Sequence, residues 1–110
     1  MKDSNRTEMS LPVRMEDLVK YQTGSVVSRT VIDKKAGTVT LFSFDDGEAL
    51  SEHKAPFDAL IYIIDGKAEV TVAGKPMELR SGEAVVIPAN KPHSLKAMTA
   101  FKMMLIMIHS

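Results

Sequence analysis

The sequence predicts an all-β sandwich or barrel, and three observations carry that expectation. Apolar and polar residues alternate through Thr38-Val-Thr-Leu-Phe-Ser-Phe44 and through Lys67-Ala-Glu-Val-Thr-Val72, the pattern of half-buried strands. Turn formers (Asp46-Gly47, Asp65-Gly66, Gly74-Lys75 and Ser81-Gly82) punctuate the chain at short intervals and fold strand back on strand. No stretch longer than one turn carries a helical period.

Taken in order, residues 1–20 form a mobile or extended N-terminal segment and residues 21–110 a single barrel domain. Residues 1–10 are polar and aperiodic, as chain ends are when nothing ties them down. Pro12 holds Leu11 out of the helical region, and Glu16 to Tyr21 has the make-up of one helical turn. Ser25 to Asp33, rich in Val, Thr and Ile, begins the strands, and Lys34 to Gly37 turns into Thr38 to Phe44. A short strand follows with Ser51, His53 and Ala55 on one face, closed by Pro56. Asp58 to Ile64 is apolar on both faces, with Ala59, Ile61 and Ile63 on one and Leu60, Tyr62 and Ile64 on the other. Such a strand must be covered twice. Lys67 to Ala73, Met77 to Leu79, Ala84 to Ile87, His93 to Met98 and Phe101 to Ile108 complete eight or nine strands. The last is again two-faced, which predicts a homodimer; cover by the chain's own N-terminal segment is the alternative.

Composition narrows the function. The chain has 110 residues, room for one domain with a real core. Fourteen basic and fourteen acidic side chains cancel, so no net field recruits nucleic acid or an anionic membrane. The absence of cysteine removes disulfides, thiolate ligands and a Cys nucleophile. No run approaches the roughly 20 apolar residues of a spanning helix, and Met1 to Glu8 lacks the apolar core of a signal peptide. A cytoplasmic protein is expected.

Two segments carry matching spacings. The first is Gly47-x5-His53-x-Ala55-x3-Ala59-x6-Gly66; the second is Gly82-x5-Pro88-x-Asn90-x2-His93-x3-Ala97. They resemble the two motifs of the cupins, Gly-x5-His-x-His-x3,4-Glu-x6-Gly and Gly-x5-Pro-x-Gly-x2-His-x3-Asn. The resemblance covers roughly residues 25 to 108 and is nearest to the small single-domain cupins. It implies a jelly-roll β-barrel (a double-stranded β-helix). In metal-dependent cupins the first motif's histidines and glutamate join the second motif's histidine around Mn, Fe, Zn, Ni or Cu. Here His53 and His93 match ligands, while Ala55 and Ala59 stand where the second histidine and the carboxylate would be.

The residues themselves give the same count. Two imidazoles fall short of the three protein ligands usual in a catalytic metal site. Asp58 and Glu52 neighbour the gap but point to the opposite faces of regular strands. A polar histidine pair bonded to each other, to water or to backbone carbonyls is the alternative to ligation. Met98, Met103, Met104 and Met107 read either as an adaptable pocket lining or as core, His109 as an exposed end residue, and Asp45-Asp46 as a solvated turn.

Three functions remain. One is a small-molecule binding module, with a pocket polarised by His53 and His93 and walled by Ala55, Ala59, Ile61, Ile63 and Val86. Another is a divalent-metal enzyme of oxygenase or isomerase type with a two-His centre. The third is a structural or interaction module working through the two-faced strands. Fold alone does not choose between them.

Overall fold

The computed structural model describes residues 10–109. Nine strands form where alternation and turn residues place them: β1 (Val26–Lys34), β2 (Gly37–Phe44), β3 (Ala49–His53), β4 (Asp58–Asp65), β5 (Lys67–Val72), β6 (Lys75–Arg80), β7 (Ala84–Ile87), β8 (His93–Ala97) and β9 (Phe101–Ile108). Before them Met15–Leu18 makes a single 3-10 turn. Among the described residues no helix is long and apolar enough to cross a membrane.

The strands pair into two antiparallel sheets, one in the order β1-β2-β9-β4-β7 and the other β3-β8-β5-β6. Successive strands from β2 to β9 cross from one sheet to the other except at the β5–β6 hairpin, the double Greek key of a jelly roll, with β1 added at one edge. The crossing from β4 to β5 is made by Gly66 alone. Its φ is +81°, and a Cβ there would collide with the Ala100 carbonyl and Phe101, so a side chain is excluded on two counts.

The core lies between the inner faces. From the five-stranded sheet come Phe44, Ile61, Ile63, Ile87, Phe101 and Met103; from the four-stranded sheet Ala68, Val70, Leu79, Leu95 and Ala97. Phe44 and Phe101, opposed in the β2–β9 register, stack with ring centroids 4.5 Å apart. At the other end the packing loosens, with Val72, Leu105 and Met107 only half-buried. That loose end is where β3 finishes and β4 starts, where β7 finishes and β8 starts, and where β9 finishes.

The methionine cluster divides by face. Met103 is buried core and Met107 packs against it, whereas Met104 lies on the outer face and Met98 is exposed.

The outer face of the five-stranded sheet is covered in part by the chain's own N-terminal segment. Leu41 and Ser43, which alternation turns away from the core, are nonetheless buried. Val19 is buried with them, and four side chains pin the segment. Ser43 Oγ donates to the Lys20 carbonyl at 2.7 Å and Arg29 to the Leu18 carbonyl at 3.3 Å. Lys102 Nζ donates to the Glu16 carbonyl at 2.6 Å, and the Tyr21 hydroxyl donates to Asp65 at 2.5 Å. Residues 1–9 lie outside the described part, and with them most of the expected tail.

Candidate functional site

His53 and His93 meet at the loose end of the sandwich. They are directly opposed in the β3–β8 pair, and their ring centroids are 4.2 Å apart at an interplanar angle of 59°. His93 shares its face with Leu95 and Ala97, both buried, so it looks inward. His53 follows because opposed residues project to the same face. Alternation alone would have put Leu50 and His53 on opposite faces. The ladder pairs Leu50 with Leu95 and His53 with His93, so three steps on β3 match two on β8. This β-bulge reverses the parity.

Each ring is held in the same way. His53 Nδ1 lies 2.9 Å from the Ser51 carbonyl oxygen and His93 Nδ1 lies 3.0 Å from the Lys91 carbonyl oxygen. A carbonyl only accepts, so in both rings the Nδ1–H donates. The neutral imidazole then carries its bare lone pair on Nε2. Two acceptors therefore stand side by side, tethered through their other nitrogens as ligating histidines commonly are.

The surrounding positions supply walls rather than further donors. Ala59, Ile61 and Ile63 face inward and are buried, Ala59 at the histidine end and Ile63, opposite Met103, toward the Phe101 end. Ala55 is half-buried, and its contribution is a carbonyl that accepts the Asn90 N–H at 2.7 Å. Asn90 has φ +66°, the left-handed conformation that glycine or asparagine tolerates, which accounts for asparagine at the motif's glycine. Asp58, beside the missing carboxylate position, accepts the Ala89 N–H at 2.8 Å and so braces the β7–β8 loop.

Val86 corrects the sequence reading. It is 59% exposed, opposite Leu60 on the outer face. The register sets Ile87 against Ala59 and Val85 against Ile61, so Ile87 and Val85 form that wall. His109 corrects it too. The residue is half-buried, its ring centroid is 4.1 Å from that of Phe57, and its Nε2 is buried with no hydrogen-bond partner. The signal was present in the sequence: His109 continues the inward series Phe101, Met103, Leu105, Met107. A surface groove of about 270 Å³, lined by Lys20, Tyr21, Gln22 and Val27, belongs to the N-terminal segment and not to the histidines.

Residues 40–109 match the cupin domain in a comparison with protein-family models. The chain belongs to the cupin family. Similar solved structures span most of its length. A conserved protein of unknown function from Streptococcus pyogenes is 30% identical, covering 92% of this chain and 89% of that one, with a TM-score of 0.88. A cupin superfamily protein from Desulfitobacterium hafniense is 28% identical over 91% and 92%, with a TM-score of 0.87. A cupin 2 conserved barrel domain protein from Leptotrichia buccalis is 41% identical, covering 84% of this chain but 45% of its own, with a TM-score of 0.82. A curated relative, polyketide synthase CurC of Streptomyces cyaneus, is 25% identical over 73 residues, 66% of this chain. The chain spans about half the length of that relative, 47%.

Measured against the family's metal centre, this cupin's donor set does not fit. Two imidazole nitrogens are in place and two alanines fill the other positions. Among the described residues no group of three or more His, Asp or Glu side chains is arranged to hold a metal ion.

Proposed function

We propose that this cupin binds a small molecule at the open end of its barrel, with His53 and His93 as the polar contacts. The observation that carries the reading is the pair of tethered imidazoles, each Nδ1 committed to a backbone carbonyl and each Nε2 left to accept. Ala59, Ile87 and Val72 give the pair an apolar surround, the usual make-up of a small-ligand site. The alanines at 55 and 59 leave volume where larger ligating side chains would stand. A hydroxylated polyketide is a natural member of the first screen, given the name of the Streptomyces cyaneus relative.

The test is a small-molecule screen by ligand-observed NMR, repeated on His53→Ala and His93→Ala. A ligand whose affinity falls at least tenfold in both variants is the expected result; unchanged affinity in both sinks the reading. The second reading, a metal held on the two histidines alone, is favoured by the carbonyl tethers and opposed by the ligand count. Near-stoichiometric uptake of Mn, Fe(II), Zn, Ni or Cu, lost in both variants, would select it. We further propose a homodimer formed across the outer face at Met104 and Ile106. Sedimentation of the parent against Met104→Glu decides it.

A further inference from the structure

We infer that His109 and Phe57 form the opposing wall of the same barrel mouth, and that His109 Nε2 is a third polar contact on the ligand, a neutral hydroxylated ring compound. The inference rests on the proposed binding at His53 and His93. All three histidines of the chain lie at one end of the sandwich. His53 ends β3, His93 begins β8, and His109 directly follows β9. The first two belong to the four-stranded sheet, whereas β9 and β4 belong to the five-stranded sheet. Phe57 continues the inward parity of Ala59, Ile61 and Ile63, and His109 that of Phe101, Met103 and Met107. Facing sheets stand about 10 Å apart, room for one ring between the walls.

His109 is held rather than frayed, because its N–H donates to the Ala36 carbonyl at 2.7 Å and extends the ladder by one bond. Its Nε2 is nonetheless buried and unpartnered, an arrangement proteins rarely leave unanswered. The Phe57 ring lies against that of His109, 4.1 Å between centroids and tilted by 33°. Phe57 sits in the four-residue connection between β3 and β4, outside the strand ladder. A ligand that displaces the Phe57 ring uncovers Nε2 and gives it a partner.

The class of ligand follows from the acceptors. In the neutral form His53 and His93 present bare Nε2 lone pairs, which call for a ligand that donates to them. A carboxylate has no proton to give. An ammonium group would lack a facing carboxylate, since Asp58 alternates with inward-facing Ala59 and so lies on the other face of β4. A hydroxyl donates to a bare nitrogen and accepts from an N–H, so it satisfies His109 in either tautomer. A ring with an apolar face suits Phe57, which leaves phenols and sugars as the two sources of the same chemistry.

The experiment uses the full chain and long-range 1H–15N spectra of the histidine rings. The probes are resorcinol, methyl β-xyloside, 1,3-dimethoxybenzene as the donor-free match, and benzoate. The expected result is that resorcinol or the xyloside shifts Nε2 of all three histidines while dimethoxybenzene shifts none. His109→Phe, which keeps a ring against Phe57, should then weaken that probe at least tenfold. His109→Gln gives a second variant should His109→Phe not fold. Binding lost in His53→Ala but unchanged in both His109 variants overturns the inference and leaves the mouth reading standing. Benzoate binding that depends on His53, with no binding of either hydroxylated probe, overturns the ligand class alone. No binding by any probe overturns the inference outright, and the wider screen still decides the mouth.

Discussion

His53 stands opposite His93 because a bulge in β3 places the two rings on one face, with their centroids 4.2 Å apart. Each ring is tied to a carbonyl only two residues away, so the pair is a local feature of two strand ends and not a keystone of the core. We expect His53→Ala and His93→Ala each to change stability by less than about 1 kcal/mol, the scale of one hydrogen bond. Ile61→Ala, deep in the core at 1% exposure, should cost about 2–5 kcal/mol. Urea denaturation of the three variants checks both. A histidine variant as damaging as Ile61→Ala would mean that lost binding reports unfolding.

The β7 strand gives an equally direct comparison. Val86 faces solvent and Ile87, its neighbour, is 1% exposed against Ala59. Val86→Ala is expected to stay within about 0.5 kcal/mol of the parent, and Ile87→Ala to lose about 2–5 kcal/mol. Equal losses from the two would contradict the register.

This strand also marks what the sequence could and could not show. Alternation, apolar runs and the turn residues between them place every strand to within a residue or two, because each inner face packs on one core. A short run such as Ala84-Val-Val-Ile87 is apolar at every position, so its parity carries no signal, and the partner strand fixes it. Parity failed at β3 for a different reason: a bulge inserts a residue without changing composition. His109 is legible in the inward series of β9, although a histidine next to the last residue of the sequence reads as exposed. Docking of the N-terminal segment is legible only as the alternative to a homodimer over a two-faced strand, and its contacts are not. Its anchors are the carbonyls of Glu16, Leu18 and Lys20, and every residue owns a carbonyl.

Asn90 supplies a prediction at the motif position where the family carries glycine. Its φ of +66° and its N–H bond to the Ala55 carbonyl depend on the backbone, not on the side chain. Asn90→Gly should therefore fall within about 0.5 kcal/mol of the parent, whereas Asn90→Val should lose about 1–2 kcal/mol from the left-handed conformation. Thermal melts of the pair decide it. A valine variant as stable as the glycine one would show that the loop does not hold this conformation.

Tyr21 ties the N-terminal segment to the barrel and gives the chain a predicted response to alkali. Its hydroxyl donates to Asp65 at 2.5 Å, and Lys102 Nζ lies 4.9 Å from its ring centroid. Burial first, then the hydrogen bond to Asp65 and the charges of Asp65 and Glu16, push the phenol well above its ordinary value near 10.0. Raising a folded pKa means that above about pH 10 the unfolded chain releases this proton while the folded chain keeps it. The folded state then binds more protons, so stability falls as pH rises, and below pH 10 this group adds no slope. Tyr21→Phe removes both the bond and the titrating group. Near neutral pH it should cost about 0.5 kcal/mol, the low end for a hydrogen bond, because Tyr21 is 39% exposed and solvent screens the pair. Above pH 10 its stability should decline less steeply than the parent's. Urea denaturation at pH 8, 9, 10 and 11 measures the slopes. Parallel decline of the two proteins above pH 10 would show that the Tyr21–Asp65 bond does not hold the proton.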